Sequence, residues 1–290
     1  MQISRVGSIQ CILGEGPVWD VAEQALYFLD IGRRLIHRFA PSDGSLKSWE
    51  APSGPGAMAL RERGGAVVAI KDTLHTLDFD TGAFEPLAVA RDQPAEATFN
   101  DGKVDRQGRF VVGSCSTSMD APTPIGGIYC LQPSGSLQKI AGDIAFSNSP
   151  CFSPDGRTLY FSDSARHALY AYEYDTQRGR VGARRLLADT SQLGGLPDGS
   201  TVDSEGLIWV AIFRGRKVAA FRPDGRLERV IDLPVSLPGS VMFGGAGLDQ
   251  LYVATIDPAY FNEPTEKGAG CLYVIEGLGA RGLPEPRFAG

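Results

Sequence analysis

The sequence predicts an all-β protein, a six-bladed β-propeller with four-stranded blades, and three observations carry that prediction. A unit of about 45 residues recurs six times, which is the period of a propeller blade. Apolar and polar residues alternate: in Leu169-Tyr170-Ala171-Tyr172-Glu173-Tyr174 the tyrosines all fall on one face, and no long segment has helical periodicity. The 36 glycines and 19 prolines are spread over all 290 residues, so they punctuate many short elements rather than one linker.

Each unit opens with an innermost strand, followed by a second strand rich in Tyr, Trp, Val and Ile. The second strands are Ala25–Asp30, Ala66–Ile70, Arg109–Gly113, Leu159–Asp163, Leu207–Ala211 and Leu251–Ala254. A third and fourth strand around a polar turn follow in Ile36 to Trp49, Leu74 to Leu87, Gly127 to Ile140, Ala168 to Leu187, Val218 to Ile231 and Cys271 to Phe288. Residues 2–10 match no unit start and are expected to supply the outer strand of the last blade, which removes a free sheet edge. The expectation is therefore one domain covering residues 1–290.

Composition excludes several functions. Hydrophobic residues make up 43% and charged residues 21%, a balance that folds around a core. A net charge of −6 with 28 unclustered Lys and Arg offers no footprint for nucleic acid or an anionic membrane, so neither is an expected partner. No apolar run is long enough to span a bilayer and Met1 to Gly14 lacks a secretory pattern, so the expected location is cytoplasmic. Five cysteines (Cys11, Cys115, Cys130, Cys151, Cys271), none in a CxxC spacing, read as buried apolar fillers. Three scattered histidines and the lack of a G-x-S-x-G elbow argue against Ser-His-Asp catalysis.

The repeat also provides a control on single motifs, because residues at one blade position must point the same way. Four residues before Trp19, Leu60, Val104, Phe152, Val202 and Phe243 stand Glu15, Gly56, Asn100, Asn148, Asp198 and Gly239. Four of these six carry side-chain oxygens, and on innermost strands they would converge at one face of a channel. Asn and Asp before Gly are ordinarily turn formers, the expected role of Asp43-Gly44, Asp155-Gly156 and Asp224-Gly225. Repeat position separates Asn100 and Asp198 from that group. Two carboxylates and amide oxygens without His or Cys suit one hard divalent cation, Ca²⁺ first, with Mg²⁺ or Mn²⁺ as alternatives and Zn²⁺ less natural. Such an ion either serves catalysis through open positions or only pins the channel mouth.

At these residues the chain resembles the regucalcin (senescence marker protein) and gluconolactonase family of six-bladed propellers. The resemblance runs through Glu15-Gly16-Pro17-Val18-Trp19, Asn100-Asp101-Gly102-Lys103-Val104-Asp105, Asn148, Ser153-Pro154-Asp155-Gly156, Asp163-Ser164, Pro197-Asp198-Gly199 and Trp209-Val210-Ala211. It implies a divalent metal held by Glu15, Asn148 and Asp198, with Asp198 also the general base and Asn100 binding substrate. It further implies a metal-dependent hydrolase of a sugar lactone or related ester, whose partner is that small molecule. A phosphotriesterase-like hydrolase and a non-catalytic binding propeller stand as alternatives.

Three departures stand out. Many members carry Arg two residues before the substrate-binding Asn; this chain has Thr98, a substrate-side position without a fork of donors. Asn148-Ser149-Pro150 replaces an Asn-Gly-Leu-like run, and Ser200 stands where Met is common. Two long connections, Ser114 to Gly126 and Ile256 to Gly270, follow second strands, are expected at the face of the polar ring, and include Met119, Asp120, Tyr260, Phe261 and Glu263 as lid candidates.

Overall fold

The computed structural model describes residues 1–290 and is a six-bladed β-propeller, with 24 strands in six four-stranded antiparallel sheets. After β1 (Gln2–Gln10), the first full blade is β2 (Gly14–Asp20), β3 (Ala25–Asp30), β4 (Leu35–Ala40) and β5 (Ser45–Glu50). The second is β6 (Pro55–Leu60), β7 (Ala66–Ile70), β8 (Thr73–Leu77) and β9 (Phe84–Val89). The third is β10 (Ala97–Val104), β11 (Phe110–Ser116), β12 (Gly126–Leu131) and β13 (Leu137–Ile144). The fourth is β14 (Ser147–Phe152), β15 (Thr158–Asp163), β16 (Ala168–Asp175) and β17 (Arg180–Asp189), and the fifth β18 (Leu196–Val202), β19 (Ile208–Phe213), β20 (Lys217–Phe221) and β21 (Leu227–Asp232). The last has β22 (Pro238–Gly244), β23 (Gln250–Thr255) and β24 (Cys271–Glu276), and β1 pairs antiparallel with β24 to complete it.

The chain divides into two compact units, Met1–Glu50 with Thr190–Glu285, and Ala51–Asp189 with Pro286–Gly290. In the first, Trp209, Val218, Val241, Phe243, Val253 and Tyr273 form one apolar cluster, and Trp19, Leu26, Phe28, Met242 and Tyr252 another. In the second, Val67, Phe99, Phe110, Val112, Tyr129 and Phe288 form one cluster, and Val111, Phe152, Phe161 and Tyr174 the next. Second strands are buried nearly end to end, which explains their unbroken apolar runs, whereas β5 and β21 are exposed at all but one residue. Only three short 3₁₀ turns interrupt the strands, and none is long and apolar enough to cross a membrane. All five cysteines are buried free thiols.

One expectation is corrected. No fourth strand follows β24 in the stretch to Phe288; residues 277–288 are irregular apart from single bridges, and β1 alone takes the outer place. Gly277, Gly279, Gly282, Pro284 and Pro286 explain this, since proline removes a ladder donor and glycine weakens a strand. Within the first unit the stretch is tied down by Ser204 N–H to the Arg281 carbonyl and Gly282 N–H to the Leu248 carbonyl. Within the second, Phe288 N–H donates to the Leu60 carbonyl and its ring is buried.

Candidate active site

All six innermost strands break register at the repeat position read from the sequence. The shift falls between Glu15 and Val18 in β2, Pro55 and Ala57 in β6, and Asn100 and Gly102 in β10. It falls between Asn148 and Cys151 in β14, Pro197 and Ser200 in β18, and Pro238 and Ser240 in β22. A bulge bends its strand and re-aims the side chains beside it. Asn100-Asp101-Gly102 and Asp198-Gly199 thus lie inside bulged strands, whereas Asp43-Gly44, Asp155-Gly156 and Asp224-Gly225 lie in turns between strands.

Glu15 and Asp198 belong to the first unit, and both are buried. The Glu15 carboxylate accepts from Gly16 N–H at 3.1 Å, and Gly16 has φ +51°, a conformation suited to glycine. A methyl group on Gly239 would collide with the Glu15 carboxylate, and one on Gly199 would collide with Ser240. Gly239-Ser240 of β22 therefore touches Glu15 on one side and the residue after Asp198 on the other. The absent side chain at Gly239 is what leaves room for the carboxylate.

Thr98, Asn100 and Asn148 belong to the second unit. Asn100 Nδ2 donates to the Ser147 carbonyl at 2.7 Å and to Asn148 Oδ1 at 2.9 Å, and Asn148 Nδ2 donates to Ser164 Oγ at 3.0 Å. Both amide hydrogens of Asn100 are thereby committed, so what Asn100 can offer a ligand is Oδ1, an acceptor. Asn148 Oδ1 keeps a second lone pair. Thr98 is half-buried two residues before Asn100, on the same face of β10.

Asp101, which the repeat position does not single out, braces the peptide beside Asn148. Its side chain is buried, its φ is +40°, and its carboxylate accepts from Gly102 N–H at 2.8 Å and Ser149 N–H at 2.9 Å. Ser149 itself has φ +65°, so the Asp101 bond holds the strained peptide directly after Asn148. Burial pushes the Asp101 carboxyl up, while Lys103 and the two amides pull it down.

A different group, Cys11, Asp30 and His37, brings three metal-capable atoms within 4.8 Å. Its chemistry does not suit a metal. One Asp30 oxygen accepts from Leu13 N–H and Arg33 N–H, the other from Ile12 N–H and the Arg33 guanidinium, which uses all four lone-pair positions. Burial pushes the Cys11 thiol far up and holds His37 neutral, its Nδ1 2.7 Å from Ser48 Oγ. By contrast, Glu15 and Asp198 of the first unit, with the Gly239 cradle beside Glu15, offer only oxygen donors, the donor chemistry of a hard cation, and Asn148 of the second unit offers an amide oxygen.

Both long connections start beside the site strands. Asp257 N–H donates to the Ile12 carbonyl, and Thr117 N–H to the Glu96 carbonyl. In the first unit Phe261 meets Phe213 edge-on at 5.5 Å and Glu263 accepts from Arg214 at 2.6 Å, so these two lid candidates are anchored to the end of β19. Met119 and Tyr260 are exposed. A groove of about 760 Å³ in the second unit runs between Pro86–Asp92 and Leu137–Lys139 and includes no candidate site residue.

Comparison with known proteins places this geometry in context. A family model described as the SMP-30/gluconolactonase/LRE-like region matches residues 13–257. The chain is 37% identical over 285 residues to a 6-deoxy-6-sulfogluconolactonase of Pseudomonas putida, covering 96% of each chain. It is 32% identical to regucalcin of Xenopus laevis, with 97% of this chain and 98% of that one covered. Among solved structures, a calcium-binding regucalcin from Agrobacterium tumefaciens superposes with a TM-score of 0.89 at 27% identity, covering 99% of this chain and 97% of that one. A luciferin-regenerating enzyme superposes with a TM-score of 0.93 at 25% identity, covering 100% and 99%.

Proposed function

The chain belongs to the SMP-30/gluconolactonase/LRE-like family, and on that premise we propose that it hydrolyses a lactone, most naturally a sugar lactone, with the help of one divalent cation. The observation that carries the reading is the bulge common to all six innermost strands, whose register presents oxygen side chains at Glu15, Asn100, Asn148 and Asp198. Glu15, Asn148 and Asp198 would hold the ion, Ca²⁺ by preference for an oxygen-only donor set. When bound, it would supply positive charge that polarises the acyl oxygen and makes nearby water more acidic.

The side chains do the rest. Asp198 accepts a proton as water adds to the acyl carbon, then returns it to the ring oxygen as the acyl–oxygen bond breaks, giving the open hydroxy acid. Asn100 Oδ1 accepts from a substrate hydroxyl, which suits a polyhydroxylated ring. Thr98, with a single hydroxyl, leaves more space beside that ring than an arginine would.

The test is a panel of sugar lactones and an organophosphate triester, assayed after chelation and after restoring single ions, with Asp198→Asn alongside. Chelation should abolish lactone hydrolysis and Ca²⁺, Mn²⁺ or Zn²⁺ should restore it. Asp198→Asn keeps an oxygen ligand but loses the base, so it should bind the ion more weakly and lose at least about a hundredfold in turnover. Full activity in metal-free protein refutes the metal's part, near-normal turnover in Asp198→Asn refutes the base, and preference for the triester refutes the substrate.

A further inference from the structure

Two of the proposed ligands, Glu15 and Asn148, are preceded by the same five-bond arrangement, built from residues outside the ring. In the blade of Glu15, the second strand ends at Asp30, whose carboxylate accepts from Ile12 N–H at 3.1 Å and Leu13 N–H at 3.2 Å. In the blade of Asn148, the second strand ends at Asp163, whose carboxylate accepts from Ala145 N–H at 3.0 Å and Phe146 N–H at 3.0 Å. Each acid thus grips the peptides three and two residues before the ligand. The residue after each acid returns a bond: Ile31 N–H to the Leu13 carbonyl and Ser164 N–H to the Phe146 carbonyl, both at 2.9 Å.

An arginine three residues after the acid completes the clamp. Arg33 pairs with Asp30 at 2.7 Å and donates to the Gln10 carbonyl at 2.7 Å; Arg166 pairs with Asp163 at 3.3 Å and donates to the Asp143 carbonyl at 2.7 Å. Gln10 and Asp143 each lie five residues before their ligand. The two D-x-x-R segments, Asp30–Arg33 and Asp163–Arg166, therefore hold segments 10–13 and 143–146 by one pattern.

Three of the other four blades point to its purpose; in the remaining one, β10 has Phe99 opposite Ser114 at this step, with neither a proline nor a clamp. Asp30 pairs with Gly14 and Asp163 with Ser147, the residues directly before the two ligands. At the matching step β6, β18 and β22 have Pro55, Pro197 and Pro238, opposite Ile70, Ile212 and Thr255. Proline fixes φ, so those strands start from a pre-set backbone without a clamp. Where flexible Gly14 or Ser147 replaces it, the carboxylate–arginine clamp takes over.

We propose that Asp30–Arg33 and Asp163–Arg166 are positioning residues that hold the backbone ahead of Glu15 and Asn148 in its metal-binding course. This role rests on the reading of Glu15 and Asn148 as ligands. Outer partners of metal ligands commonly change affinity by about 10–100-fold when removed.

The experiment measures Ca²⁺ and Mn²⁺ binding by calorimetry on metal-free protein, together with hydrogen exchange over residues 10–15 and 143–148 and the metal-free unfolding midpoint. Variants are Asp30→Asn, Asp163→Asn and the milder Arg33→Ala and Arg166→Ala, whose side chains are partly exposed and whose loss should leave a folded chain. Arg178→Ala, which breaks an equally spaced pair with Asp175 at an ordinary turn, is the control. The expected result is ion binding weakened about tenfold or more and faster exchange in the matching segment, with the arginine variants keeping the parent's midpoint and the control unchanged throughout. Unchanged affinity in arginine variants whose segments exchange faster, or a lower midpoint without loss of affinity in the Asp variants, overturns the positioning role and leaves a scaffold role. A parent that takes up no ion overturns the ligand reading, and the positioning role falls with it.

Discussion

Asn100 illustrates how one amide can serve two neighbours. Its Nδ2 group spans the Ser147 carbonyl and Asn148 Oδ1, so removing it strips a partner from each and leaves the Asn148 side chain held by Ser164 Oγ alone. Asn100→Ala should therefore weaken ion binding as well as raise KM for lactone, while the unfolding midpoint stays nearly unchanged, because a half-buried amide leaves no large cavity. Asp155, by contrast, accepts only from Ser153 Oγ and Arg157 N–H in a turn. Asp155→Ala should leave ion affinity and turnover within about twofold of the parent, an ordinary surface effect. Calorimetry and lactone kinetics on the two variants decide this, and a larger loss in Asp155→Ala would overturn the repeat alignment. The repeat made the four oxygen residues legible, since it compared equal positions across blades. It did not expose Asp101, because Asn-Asp-Gly has the same composition in a turn and in a bulge, and only the paired strand distinguishes them.

At the scale of the strand, the bulges do what alternation alone cannot. Strict alternation would carry Glu15 and Val18 onto opposite faces of a regular β2, whereas the register shift between them changes the direction in which the carboxylate is offered. Alternation was legible and gave nearly every strand; the bulges were not, since an extra residue leaves little trace in an apolar pattern. The mistaken fourth strand after Cys271 had a readable counter-signal in its glycines and prolines. A prediction follows for β22, whose Gly239 has no role in the proposed chemistry but lies against the Glu15 carboxylate. Gly239→Ala places a methyl group where that carboxylate sits and 2.9 Å from the Gly14 carbonyl oxygen, so the carboxylate must swing away while the backbone of β2 yields only slightly. The variant should therefore fold, lose much of its ion affinity, and lose turnover in proportion, so that saturating Ca²⁺ restores most of the rate. Persisting low turnover at saturating ion would mean that the substitution disturbs more than Glu15.

For the molecule as a whole, folding stability should depend on pH through buried His37 and half-buried His75. Burial lowers the pKa of His37 below its ordinary 6.5, opposed by Asp30 and assisted by Arg33. Burial likewise lowers that of His75 in the other unit, opposed by the Thr73 backbone and Asp72. Above 6.5 the two rings are neutral in folded and unfolded chains alike, and they contribute no pH dependence. As pH falls through 6.5 the unfolded chain takes up protons that the folded chain refuses, so stability falls, and the loss levels off only below the lowered folded values. Urea unfolding between about pH 8 and about pH 5, the span in which histidine titrates, should show a plateau followed by a decline toward acid. His37→Asn can retain a hydrogen bond to Ser48 and removes one titrating group, so its decline should be shallower, and adding His75→Asn should flatten it further. Asp101, whose carboxyl burial pushes up, acts in the opposite sense, and the double variant isolates its share. A parent that grows more stable on acidification from pH 7, while the double histidine variant does not, would mean that the folded chain holds its imidazoles charged, with His37 governed by the Asp30 charge instead of by burial.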